Sequence, residues 1–552
     1  MKTSRIFRIF MMALDTLLLA VLHLFRKFSH LTQFQASESV CLEDPPHATE
    51  RTQPDRLGIR PELEVDGQPT ETYQRSHPIA MGEGVNYAGF EGVVTFRGDN
   101  YRSSAAYGDS SPSPRKLQVK WSVPTGKLQK GYGHGFWTGS GWTGQPLLVR
   151  WTQEQKSSME NMFPDKREKS GLIEAIYSTM DGNLYFLDIE DGSPTREPIF
   201  VGLPFKGAGA LHPSLPMVHL GAGDSGPGKE EYARAFLYSL QNGEKLLEYG
   251  GQDPFSLRVF HGYDSSPLFD ARTDTIIEPG ENGILYTFRL GTTIDAQTGR
   301  ISLHPAEKVK LRYSTSRSSE QRYWLGMEDS AVIWKNYIYV ADNGGNLLCI
   351  DLNTMQLIWA QDVADDTNGS PVFSVEDGVP YLYIATSLHW TAGKLKLGDV
   401  PIFKINAING EYVWKRSYFC NTIAGVSGGI QATPVVGKGN ISNLAIFPVA
   451  RTPWVRSGLL VALDKQTGRE VWRLKLPRYA WSSPLALYDS DGRATLVQGD
   501  SRGTLYLIDG VSGKVLDKVN LGSNIEASPA AFGNMIVVGT RGMKIFGIEV
   551  QA

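Results

Sequence analysis

The chain has 552 residues, 41% hydrophobic and 20% charged, a composition that excludes wholesale disorder. Lys+Arg at 55 nearly balance Asp+Glu at 58, for a formal net charge of -3, so the chain carries no electrostatic footprint for nucleic acid. Three cysteines, Cys41, Cys349 and Cys420, are too few for a disulfide scaffold, while 58 glycines and 11% aromatic residues suit tight turns between aromatic strands.

Lys2, Arg5 and Arg8 precede an apolar run, Ile9 to Phe25, which Arg26 and Lys27 close. That pattern predicts a signal peptide or signal anchor over residues 1–30, with the rest of the chain outside the cytoplasmic membrane. Asp15 within the run costs about 2.5–3.5 kcal/mol at the centre of a spanning helix. The span is therefore marginal, and a soluble amphipathic helix is the alternative. No good cleavage signal follows, so both fates of the segment stay open. Residues 31–85, dotted with Pro45, Pro46, Pro54, Pro61, Pro69 and Pro78, read as an extended linker without apolar periodicity. Residues 86–116 read as a leader packing on the domain that follows.

From residue 117 one unit recurs. Gly182-Asn183-Leu184-Tyr185-Phe186-Leu187-Asp188, Gly345-Asn346-Leu347-Leu348-Cys349-Ile350-Asp351 and Gly503-Thr504-Leu505-Tyr506-Leu507-Ile508-Asp509 are alternating strands. Each leads into a turn, and in several units a tryptophan follows: Trp359, Trp414 and Trp472. A second marker is a Ser/Thr/Pro-rich lead-in: Gly144-Gln145-Pro146, His212-Pro213-Ser214, Ser265-Ser266-Pro267, Asp329-Ser330-Ala331, Gly369-Ser370-Pro371, Ala432-Thr433-Pro434, Ser482-Ser483-Pro484 and Ala527-Ser528-Pro529. Eight lead-ins over residues 117–552 give about 54 residues each, near the length of a propeller blade. The last unit lacks an outer strand, and Leu117–Trp121 supplies one. The fold class predicted is all-β, an eight-bladed β-propeller closed by pairing an N-terminal strand into the last blade, which removes exposed sheet edges.

Ala462-Leu463-Asp464-Lys465-Gln466-Thr467-Gly468-Arg469-Glu470-Val471-Trp472 resembles the tryptophan-docking repeat of pyrroloquinoline-quinone (PQQ) propellers. Thr95–Gly108 resembles a leader found before such repeats in bacterial secreted members. The family includes quinoprotein alcohol and sugar dehydrogenases, and non-enzymatic members such as the propeller lipoprotein of the bacterial outer-membrane assembly machine. The dehydrogenases use an adjacent Cys–Cys disulfide and a calcium held by Glu and Asn beside a catalytic Asp. This sequence has no adjacent cysteines, no Cys-x-x-Cys-His, no His-Glu-x-x-His and no Gly-x-Ser-x-Gly around a plausible nucleophile.

The first strand of each blade lines a propeller's axis, so residues before the lead-ins should converge on one mouth. The candidate ligand-binding set is Trp142, Gln145, His212, Tyr263, Asp264, Glu328, Asp329, Asn368, Gln431, Trp481 and Glu526. Carboxylates sharing a funnel must be protonated, paired or bound to a cation such as calcium. Aromatic rings beside them also suit a sugar or peptide. Three functions follow: a non-catalytic binding or scaffold propeller of the cell envelope, which the missing cysteine pair favours; a PQQ- and calcium-dependent oxidoreductase; and a glycan-binding module. The partners expected are an envelope protein or a glycan, and the membrane through the N-terminal segment.

Overall fold

The computed structural model describes residues 29–552 apart from 132, 134, 142–143, 229–230, 318–325 and 424–426. Its sheets form the eight blades of a β-propeller. The inner strands are Leu147–Arg150 (blade 1), Ala210–Leu211 (blade 2), Leu268–Asp270 (blade 3), Val332–Trp334 (blade 4), Val372–Glu376 (blade 5), Val435–Val436 (blade 6), Leu485–Tyr488 (blade 7) and Ala530–Phe532 (blade 8). Each starts an antiparallel sheet of four strands stepping outward. Middle strands such as Met217–Gly221 and Ala235–Ser239 are buried throughout, because neighbouring blades cover both faces. Outer strands alternate, as in Glu470–Leu476.

Closure is as the sequence predicts. Lys116–Pro124 pairs antiparallel with Lys544–Gln551, with Trp121 opposite Gly547. The outermost strand of blade 8 thus comes from the start of the domain.

Four tryptophans join blades by one geometry. The ring of Trp121 lies where a Cβ on Gly192 would sit, and Trp359, Trp414 and Trp472 do the same at Gly410, Gly468 and Gly513. Each glycine has φ between +69° and +74°, so the turn needs glycine for its conformation as well as for the close approach. The indole N–H donates to the carbonyl three residues before that glycine: Ile189, Ala407, Lys465 and Gly510. Trp472, which carries the most complete motif and was expected to be largely buried, is only half-buried, whereas Trp359 and Trp414 are fully buried. The difference comes from the segment expected to be a linker.

That segment is laid against the propeller. Ser29–Gln33 adds a fifth strand outside blade 5, and Arg60–Val65 with Gln68–Thr70 extends blade 3. Leu31 packs beside Trp414, and Val40, Leu42 and Ala48 pack over the cluster that contains Trp359. Apolar periodicity is weak here because backbone pairing to an existing edge does much of the holding. Pro69 is tolerated on the outermost strand, and Pro61 because it lies outside Leu63–Val65, the stretch that Gln68–Thr70 covers. Among the described residues no helix is long and apolar enough to cross a membrane.

The lead-ins form a belt around the axis. The Ser266 backbone N–H donates to Ser330 Oγ, Ser330 to Ser370 Oγ, Ser370 to Thr433 Oγ1, Thr433 to Ser483 Oγ, and Ser483 to Ser528 Oγ, at 2.8–3.2 Å. The Ser528 N–H then donates to Gly144 O, and Ser266 Oγ donates to Gly209 O. The hydroxyl recurs because each inner strand starts with a buried N–H that must be satisfied. Blade 2 departs from the expected register. Its strand is preceded by Ala208-Gly209, and His212-Pro213-Ser214 is the turn after it.

The leader closes one end of the channel. Its backbone carbonyls accept from inner-strand N–H groups: Val94 from Leu211, Asn100 from Ile333, Tyr101 from Phe373 and Ala105 from Ala531. Gly92 and Val93 pair with Val149 and Leu148. Arg97 reaches Pro484 O at 2.6 Å and Pro434 O at 3.0 Å. Arg102 reaches Ala331 O, Phe96 O and Ser266 O at 2.7–2.9 Å. Residues 92–105 therefore bond to all eight blades. Both arginines have positive φ and are fully buried, and burial holds each guanidinium down to about 10. The same segment meets the turns after the inner strands at Pro213 and Tyr488. The other end, made by blade-to-blade connections and by the loops between second and third strands, is the mouth.

Candidate functional site: an acidic cluster at the channel mouth

Three carboxylates converge in the mouth. Ligand oxygens of Asp264, Glu281 and Glu328 lie within 4.8 Å of one another, and all three residues are buried. Asp264 and Glu328 come from the connections into blades 3 and 4. Glu281 comes from the turn between Thr275–Pro279 and Leu285–Arg289. Asn343 Nδ2 donates to Glu328 Oε2 at 3.2 Å and to Asp366 Oδ1 at 2.9 Å, and Asn368 Nδ2 donates to Glu328 Oε2 at 2.9 Å. Arg258 donates to Glu281 O and Asn343 Oδ1, with its other nitrogen 3.4 Å from Glu281 Oε1. Lys206 enters from the opposite side, 3.7 Å from Asp224 and bonded to Gly223 O at 2.6 Å.

Burial dominates the electrostatics. It pushes the Asp264 carboxyl up to about 7 against the pull of Lys206, and Asp366 also to about 7. Glu281 is raised, and Glu328 is raised well above the ordinary range with Glu281, Asp366 and Asp264 adding repulsion. Lys206 is held up by the same carboxylates despite its burial. Both Asp264 oxygens and Asn368 Oδ1 lack a hydrogen-bond partner.

The remaining candidates separate. Gln145 faces the leader, accepting from the Arg97 N–H and donating to Thr95 O. His212 sits at the opposite end, where Nδ1 accepts from the N–H groups of Ser214 and Leu215 and burial lowers it to about 4. Tyr263 lies between blades 2 and 3, its hydroxyl bonded to Tyr286 and Asn282. Asp329 turns into blade 4 and accepts from the Ala341 N–H at 3.2 Å. Glu526 pairs with Asn524 and Arg541 on blade 8, outside the trio. Trp481 is half-buried beside Tyr479, ring centroids 5.3 Å apart. Gln431 is buried, and Trp142 lies outside the described residues. The sequence reading thus brings Asp264, Glu328 and Asn368 together and does not gather the rest.

It missed Glu281 and Asn343. Their signal was in the repeat: both stand two residues before the repeat glycine, Gly283 or Gly345. Met180 and Ser501 occupy the same place before Gly182 and Gly503. All four N–H groups bond back to a blade-to-blade connection, at Gly262, Gly326, Gly139 and Tyr479, so this position faces the mouth in every such blade.

The cluster makes a pH prediction. In the unfolded chain these carboxyls titrate near 4; in the fold Asp264 and Asp366 hold protons up to about 7, and Glu281 and Glu328 are raised as well. The folded state therefore binds more protons in that window, and stability falls as pH rises through it. Thermal midpoints should drop between pH 5 and pH 8, and Asp264→Asn with Glu328→Gln should flatten that slope and stabilise the protein at pH 8. A variant with the wild-type slope would remove the cluster as its source.

Residues 456–551 match a family model described as outer membrane protein assembly factor BamB, of the PQQ-like repeat type. The chain is an eight-bladed β-propeller. Among solved structures, this propeller is similar to quinohemoprotein alcohol dehydrogenase ADHIIG from Pseudomonas putida HK5, with TM-score 0.53 and 10% identity over 84% of this chain and 80% of that one. It is also similar to the quinohemoprotein alcohol dehydrogenase of Comamonas testosteroni, with TM-score 0.50 and 13% identity over 84% and 81%. BamB from Moraxella catarrhalis aligns at TM-score 0.45 and 11% identity over 73% and 98%. At such identities the likeness is one of fold. No curated protein matches this chain in sequence.

The group the fold brings to mind is PQQ with calcium. The oxygen donors of Asp264, Glu281 and Glu328 suit a hard cation. The quinone fits poorly. Cys349 and Cys420 lie in blades 4 and 5, and no neighbouring cysteine stands beside either. The acidic side chains in the mouth are 1–7% exposed, and among the described residues no slot wide enough for a flat three-ring cofactor opens on them.

Proposed function

We propose that this chain is a non-catalytic binding scaffold of the cell envelope, held outside the cytoplasmic membrane by its N-terminal segment and taking a partner at the mouth of the ring. The observation that carries the reading is the filling of the channel. The leader occupies one end, and Lys206, Arg258, Asn343 and the carboxylates bonded to them occupy the other, so the ring works as a rigid platform. The family model over residues 456–551, described as an outer-membrane protein assembly factor, supports placement in the envelope. A glycan is less well served, because Trp481 rests on Tyr479 instead of standing as an open stacking face.

Incubation with PQQ and calcium tests the reading. The expected result is no change in the quinone absorbance and no dye reduction with alcohols or sugars. A saturable quinone signal with turnover would replace the scaffold by an oxidoreductase.

A further inference from the structure

The mouth is divided by charge. Its acidic side belongs to blades 2 to 5, whereas four loops around blades 5 and 6, residues 386–398, 421–434, 451–457 and 477–484, contain Lys394, Lys396, Arg451, Arg456 and Arg478 and no Asp or Glu. The described residues of these loops form one surface. The Thr422 N–H donates to Lys396 O, Asn421 Nδ2 to Pro453 O, and the Tyr479 N–H to Arg456 O. On it Ile423 is 59% exposed, Leu395 57%, Trp454 49% and Trp390 38%, with Lys394, Lys396 and Arg456 exposed among them.

The chain reaches the propeller at the same place. Ser29 pairs with Tyr418 and Gln33 with Trp414 on the outer strand of blade 5. That strand runs towards the mouth, so Ser29 stands at its mouth end. The residues before it include the apolar run from Ile9 to Phe25 with Arg26 and Lys27.

From the joint position of these features, we propose that the mouth sector of blades 5 and 6 is a membrane-contact surface. Ile423, Leu395, Trp454 and Trp390 enter the boundary between headgroups and acyl chains of an anionic bilayer, and Lys394, Lys396 and Arg456 lie on lipid phosphates. Aromatic and aliphatic tips ringed by Lys and Arg are the chemistry of an interfacial contact. The neighbouring carboxylates are buried and do not face the lipid; Trp390 borders them, its indole N–H on Asn343 O at 2.6 Å. The proposal extends the scaffold reading but does not depend on it, since an oxidoreductase could dock the same way.

Tryptophan fluorescence of the full chain on vesicles with brominated acyl chains tests it. The first of the twelve tryptophans is Trp121, so the N-terminal segment contributes no signal. On phosphatidylglycerol vesicles the bound protein should be quenched, and Trp390→Phe with Trp454→Phe should remove most of that quenching. Lys394→Gln, Lys396→Gln and Arg456→Gln should each weaken engagement about five-fold. Leu395→Ser with Ile423→Ser, at exposed sites that do not threaten folding, should weaken it as well. Absent quenching of vesicle-bound protein, or quenching unchanged in the double Phe variant, overturns the proposal. So does protection of Trp390 and Trp454 from acrylamide before lipid is added, which would mean that residues 1–28 cover the patch. Equal acrylamide access with and without vesicles also overturns it, and gives the surface to a soluble partner.

Discussion

Replacing Arg102 by methionine should destabilise the propeller by roughly 3–6 kcal/mol, and Arg97→Met should cost nearly as much. Methionine keeps much of the apolar volume, so the loss isolates the guanidinium. In Arg102→Met the buried carbonyls of Ala331, Phe96 and Ser266 lose their donor, and each unsatisfied buried group costs about 1–3 kcal/mol. The positive φ at Arg102 adds strain that only those bonds hold in place. Lysine should rescue little, because one ammonium cannot span acceptors from blades 3 and 4 and the leader. Urea midpoints for the two Met variants and Arg102→Lys measure this. A loss below about 1 kcal/mol would mean that the leader is an accessory and that the Ser/Thr belt holds the ring alone.

Trp414→Ala is the second large effect, at roughly 3–5 kcal/mol. Its ring fills the space over Gly468, its N–H binds Lys465 O at 2.9 Å, and Leu31 closes it from outside. Gly468→Ala should destabilise through the same contact, since a Cβ there meets both the indole and Leu31 and φ is +69°. The two changes disrupt one joint, so the double variant should lose less than the sum of the singles. The half-buried Trp472 should lose less on truncation than Trp414. Equal losses at Trp472 and Trp414 would show that the N-terminal strand contributes nothing to the joint.

The repeat explains what was legible in the sequence and what was not. Blade number, ring closure through Leu117–Trp121 and the docking of tryptophan on glycine follow from local spacing. Each is a contact between adjacent units, and the unit recurs often enough for its register to show. The site was legible only where the register was right. Asp264, Glu328 and Asn368 precede true lead-ins and do meet. Misplacing the lead-in of blade 2 carried His212 to the wrong end of the channel. Asp329 follows Glu328 directly, and adjacent residues at a strand start point to opposite sides, so one faces the mouth and the other blade 4.

What the sequence by itself determined is the unit: an alternating strand, a turn that demands glycine, and a tryptophan placed for the next blade. Only the tertiary structure decided the role of residues 29–107. Arg97 and Arg102 are ordinary surface types in composition, and the prolines before them suggest a solvated linker. Their partners are backbone carbonyls up to about 390 residues away, at Pro484 for Arg97, and a backbone carbonyl leaves no mark in the side-chain pattern. The raised carboxylates of the mouth were settled in the same way. Asp264, Glu281 and Glu328 are unremarkable acids along the chain, and their mutual repulsion exists only because three connections converge on one axis.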